Sequence, residues 1–169
     1  MLASAVSCSE RKENSSSEAR PDTDAVKKFV QEFYDGYMPL TTKSNSGPAS
    51  DLALRDRPQA FDAQLLGRLK EDSEAQAKAK GDLVGLDFDP FLGSQDPCDR
   101  YDVVNVTSKE AHYLVDVRGS GGCEKHDQAD VTAEVVSTNG MWQFSNFHYP
   151  GPPAYDLLTI LKKLKEDRH

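Results

Sequence analysis

The residues of this chain whose types admit chemistry are three cysteines, a histidine and an asparagine on one strand, and two aspartates one residue apart. Cys98 and Cys123 lie where the sequence is apolar enough to fold. If strands beginning near 101 and 111 pair through a turn near Ser108, Cys98 falls opposite the end of the second strand, beside the Gly119 to Gly122 loop that carries Cys123. Those positions can meet, and a disulfide closing such a loop contributes roughly 3 kcal/mol in the chain-entropy model. The competing readings are free core thiols and a metal site, but a metal needs more ligands than the one nearby candidate, His126. Asp87 and Asp89 raise the question of calcium, which wants five or more oxygen ligands on a glycine-bearing loop. No such spacing is present, so the expectation is a turn held by Asp side chains, with no metal and no cofactor.

His148 and Asn146 share a strand whose alternation places them with Val131, Ala133, Val135, Trp142 and Phe144. Polar groups on an apolar face need partners or water. One reading is a satisfied histidine near the sheet edge. The other is a ligand-binding polar patch in a cavity formed with Tyr34, Tyr37, Tyr113 and Trp142. No acid shares that strand face, so acid-base catalysis is not expected, and neither a nucleophile elbow nor a phosphate-binding glycine motif occurs. On the opposite face Phe147 and Tyr149 are expected to point outward with Leu114 and Val136. Such a patch either marks a protein contact or lies under the C-terminal helix.

The elements that must position these groups follow from period and turn chemistry. A chain of 169 residues with 37% apolar residues suits one domain, and its net charge of -8 disfavours nucleic acid and anionic membrane surfaces. The basic cluster Lys162, Lys163, Lys165 and Arg168 falls at a helix end, where it complements the helix dipole. Residues 1–21 read as a signal remnant and flexible tether, and 22–169 as a single domain. Ala5-Val6-Ser7-Cys8 resembles a bacterial lipobox with Ala where Leu is commoner, which makes Cys8 a candidate for lipidation. Two alternatives stand: a secretory signal whose start lies upstream, or an ordinary disordered N-terminus.

Val26, Phe29, Val30, Phe33, Tyr34, Tyr37 and Met38 recur at helical spacing, and Thr41 to Ser50 reads as a loop. A second helical region has Pro58 in its first turn, a Phe61, Leu65, Leu66, Leu69 face, and Gly81 at its end. From Tyr101 the period becomes two, giving strands over 101–106, 111–118, 128–137 and 141–149. With Asn139-Gly140 as a two-residue hairpin turn, Val135 faces Phe144, Ala133 faces Asn146, and Val131 faces His148. Leu158, Leu161 and Leu164 mark a closing helix. The fold class is therefore α+β: a curved antiparallel sheet of four or more strands packed on N-terminal helices, with an added C-terminal helix.

The helix Phe29-Val-Gln-Glu-Phe-Tyr34, the Asp89-Pro90-Phe91 segment followed by Ser94-Gln95-Asp96, and the strand end Trp142-x-Phe-x-Asn146-x-x-Tyr149-Pro150 resemble an uncharacterised bacterial family of periplasmic and lipoprotein domains. The resemblance spans about residues 22 to 168. It implies a fold similar to nuclear transport factor 2, a sheet wrapped around helices into a cone with a cavity, and it implies an envelope compartment without defining a catalytic residue. The expectation is an exported, noncatalytic binding domain in the periplasm or outer membrane. Its partner would be another envelope protein or a second copy, with membrane contact only through a lipid on Cys8. The alternative is a ligand-binding or enzymatic cavity in the cone interior near His148.

Overall fold

A computed structural model describes residues 22–43, 47–79, 81–124, 127–151 and 155–168. Cys8, the lipobox-like start, the tether and His126 lie outside the described residues. Helix α1 spans Thr23–Thr41, opened by Asp22, whose carboxylate accepts from Ala25 N at 3.3 Å. The expected stripe is its buried face, with Val26, Val30, Phe33, Tyr34 and Tyr37 all inaccessible.

The second helical region is divided. Helix α2, Ala49–Asp56, begins inside the segment expected to be loop, immediately after Pro48. Pro58 then opens a short 3-10 turn, Pro58–Ala60, and Arg57 before it leaves the helical region, as a residue preceding proline tends to. Phe61 is extended and bridges to Phe144, so the chain restarts as α3, Ala63–Lys78, only after Asp62 caps it by accepting from Leu65 N at 2.7 Å.

Strands β1 (Arg100–Ser108), β2 (Tyr113–Ser120), β3 (Val131–Thr138), β4 (Met141–Tyr149) and β5 (Tyr155–Asp156) form a curved, unclosed antiparallel sheet in sequence order. Helix α4, Leu157–Asp167, follows and packs on α3 and β4. Asn139 and Gly140 both have positive φ, 52° and 77°, as the two-residue hairpin requires, and Val135 pairs with Phe144 as expected. Beyond that pair the register slips. Glu134 faces Asn146, Ala133 faces Phe147, and Thr132 faces His148.

This β-bulge corrects the face assignment of the last third of β4. An extra residue on one strand inverts every side chain beyond it. Phe147 is 0% exposed and Tyr149 3%. Both point into the core between sheet and helices, so neither is part of an outward contact patch. His148 points to the other face, away from Val131 and the helices. Leu114 and Val136 are on the outer face as expected, but only half exposed.

Cys98 and Cys123 form a disulfide with Cα atoms 5.0 Å apart. It ties the approach to β1 to the loop after β2. Gly119 makes room, since a Cβ there would stand 2.4 Å from Cys98 Sγ. The Asp99 N–H donates to Gly121 O at 2.8 Å beside it.

Candidate functional site

The space between sheet and helices is filled with rings. Phe33 sits edge-on to Phe61, Phe91 and Phe144, with centroids 5.8, 5.5 and 4.8 Å away, and Phe91 and Phe144 both touch Phe147. Three tyrosine hydroxyls converge on the 89–92 turn at one end of this cluster. Tyr34 donates to Phe91 O at 2.8 Å, Tyr149 to Pro90 O at 2.7 Å, and Tyr37 to Asp89 Oδ2 at 2.5 Å. Each buried phenol thus has a partner, as burial demands. Burial raises the pKa of all three, and the nearby Asp89 carboxylate adds to it, so they stay protonated.

Asp89 is the hinge of that turn. Its Oδ1 accepts from Phe91 N at 2.9 Å and Leu92 N at 3.2 Å, which is the Asp-held turn expected of this segment. Burial pushes its pKa up, opposed by the hydrogen bonds from Tyr37, Phe91 and Leu92. The Tyr37–Asp89 pair fastens α1 to the turn.

The residues expected to share one ligand cavity are separated. Tyr34 and Tyr37 are core. Tyr113 and Trp142 meet edge-to-face at 5.4 Å near the start of α1, where Tyr113 Oη accepts from Asp22 N. His148 lies six positions along β4 from Trp142, about 20 Å at the rise of an extended strand. Asn146 is 9% exposed and joins β4 to α4: its Nδ2 donates to Asp156 Oδ1 at 2.9 Å and its Oδ1 accepts from Leu158 N at 3.2 Å.

On the outer face a polar row crosses all five strands, pairing Asn105, Asp116, Thr132, His148 and Asp156 in turn. Asp116 accepts from Asn105 Nδ2 at 3.0 Å and Thr132 Oγ1 at 2.7 Å. His148 Nε2 lies 3.1 Å from Glu134 Oε2, while Ser145 donates to Glu134 Oε1 at 2.9 Å. The histidine therefore does have an acid partner, contrary to the reading of the strand face, because the bulge brings His148 to the side that carries Glu134. A shallow cleft of about 720 Å³ over this row also takes in Arg118, whose Nε has no hydrogen-bond partner among the described residues.

A larger groove lies elsewhere. A groove of about 970 Å³ runs between the end of α1, α2, the middle of α3 and the 83–97 segment. Its apolar lining includes Leu40, Leu54, Leu69, Leu83, Leu86 and Phe88, and its carboxylates are Asp51, Asp72, Asp87 and Asp89. Two of the four are already committed: Asp89 to its turn, and Asp72 to Arg168 and Leu86 N. The irregular apolar run from Leu83 to Leu92 was the sequence signal for this groove. The missing information was that α2 and the end of α1 face it.

No family model and no curated protein matches the chain. Among solved structures it is similar to the crystal structure of a protein of unknown function from Bacteroides thetaiotaomicron, with a TM-score of 0.51 and 16% identity over 75% of this chain and 90% of that one. That likeness is one of fold.

Proposed function

We propose that the chain is an exported, noncatalytic binding domain of the bacterial envelope, periplasmic or held at the outer membrane by a lipid on Cys8, with a partner that is another envelope protein or a second copy. The observation that carries the binding reading is the filled interior: rings occupy the place where a cone fold of the nuclear transport factor 2 kind would hold a ligand. The element order of N-terminal helices, a meander and a closing helix supports that fold type. The Cys98–Cys123 disulfide supports an oxidising compartment. No described helix is long and apolar enough to cross a membrane.

Native mass spectrometry of protein released from an envelope fraction tests both parts. The expected result is a processed, lipid-modified N-terminus and a stoichiometric protein adduct. An unprocessed Met1 in cytosolic protein sinks the export reading, and a monomer retaining a stoichiometric small molecule sinks the protein-binding one.

A second reading, ligand binding or turnover, moves with His148 from the interior to the outer face. The hydrogen bond to Glu134 from His148, which lines the 720 Å³ cleft, favours it. His148→Ala would abolish ligand binding under that reading and leave protein capture untouched under the first.

A further inference from the structure

Resting on the binding-domain reading, we infer that the groove between α1, α2, α3 and the 83–97 segment receives an extended segment of a partner protein that places a Lys or Arg between apolar side chains. Leu83 is 66% exposed, the largest exposure among the large hydrophobics of the described residues, and it borders the groove with Leu86 and Phe88. An exposed leucine on a loose loop would mean little. This one is clamped on both sides.

Gln76 of α3 reads the loop as a strand would. Its Oε1 accepts from Val84 N and Gly85 N, each at 3.0 Å, and its Nε2 donates to Asp82 O at 3.0 Å. Asp72 accepts from Leu86 N at 3.0 Å, and Arg168 donates from Nε to Val84 O at 2.8 Å while pairing with Asp72. Gly85 is required there, since a Cβ would stand 2.8 Å from Asp72 Oδ2. The loop is thus ordered before any partner arrives, so docking against Leu83 carries little of the ordering cost that weakens binding by flexible loops.

Charge chooses the partner. Asp72 and Asp89 are occupied, which leaves Asp51 and Asp87 as carboxylates without an ion-pair or hydrogen-bond partner among the described residues, against Lys43 as the cation of the lining. An apolar floor with free carboxylates at its edge, on a protein of net charge -8, disfavours acidic segments and anionic lipid and suits a basic-apolar one. The volume, about 970 Å³, is at the upper end of small-ligand pockets and open along one side, which suits a chain segment.

The test uses the full chain, oxidised, with a short fluorescein-labelled peptide of Leu, Ser and Lys and a counterpart with Glu in place of Lys, read by anisotropy. The expected result is binding of the Lys peptide alone. Asp51→Asn with Asp87→Asn should weaken it roughly tenfold at low salt, and Leu83→Ser roughly tenfold at any salt, with unchanged melting temperatures. Glu74→Gln with Glu166→Gln removes the same charge away from the groove and should have no effect. The inference is overturned if that control weakens binding as much as the groove pair, if Leu83→Ser changes nothing, or if a small cationic amphiphile binds through Leu83 and the peptide does not. If neither peptide binds while the native protein adduct persists, the groove inference fails and the binding-domain reading stands. Loss of the adduct as well would remove both.

Discussion

Ser145 Oγ donates to Glu134 Oε1 at 2.9 Å, on the strand pair where the register of β3 and β4 slips by one residue. The contact anchors the extra residue of the bulge, and the bulge decides which of the following side chains are core. Phe147 and Tyr149 go in and His148 comes out. Deleting Ser145 removes the extra residue and leaves Glu134 opposite Asn146 and Ala133 opposite Phe147, so the variant is expected to fold with both rings still in the core. Phe147→Ala should cost about 3–5 kcal/mol, the range for a fully buried ring. Urea denaturation measures it; a loss under about 1 kcal/mol, as at ordinary surface positions, would contradict the placement.

The disulfide should be worth roughly 3 kcal/mol. Protein purified without reductant is expected to show no alkylatable thiol at Cys98 or Cys123, and reductant should lower its denaturation midpoint. Two freely alkylated thiols in the native protein would refute the pairing.

Arg168 and Asp72 expose only 16% and 9% of their side chains. Arg168→Met leaves a buried carboxylate facing Leu86 N alone and should cost about 3 kcal/mol. Amide exchange at Val84 to Leu86 should accelerate with it. The double change Arg168→Met with Asp72→Leu should recover part of the stability, whereas unaltered exchange in the single variant would show that the pair does not hold the loop.

Asp89 gives a pH signature. Its carboxyl pKa is raised in the folded protein by burial, so the native state holds this proton more tightly than the unfolded chain. The stability that this proton contributes is fully present below the unfolded value of about 4 and is lost as pH rises through the folded one. Asp89→Asn cannot titrate. The stability of the native protein relative to Asp89→Asn should therefore rise as pH falls toward about 4 and level off below it. A difference independent of pH would exclude the shift.

Much of the fold was legible in local pattern. The apolar stripe of α1, the change of period after residue 100 and the positive-φ turn at Asn139-Gly140 each depend on residues close in sequence, and so did the loop geometry that brought Cys98 to Cys123. The bulge left a trace too: Phe144-Ser145-Asn146-Phe147 spaces two core aromatics by three, which a strand of period two cannot bury on one face. Reading it required knowing that Ser145 and Asn146 would find Glu134, Asp156 and Leu158 N, partners contributed by β3 and the β5–α4 corner.

Helix α2 and the groove were decided by tertiary structure alone. Eight residues are too few to be stable as an isolated helix, so Ala49–Asp56 is helical because Leu52, Ala53 and Leu54 are buried against the rest of the fold. The groove has no periodicity at all. Its walls come from four stretches of chain brought together by packing, and two of its four carboxylates are committed by distant residues: Asp72 by Arg168, nearly a hundred residues away at the end of α4, and Asp89 by Tyr37. Composition determined that the chain is acidic and folds around aromatics; which of the groove's acids are committed is a property of the packed structure, because the partners of Asp72 and Asp89 are distant in sequence.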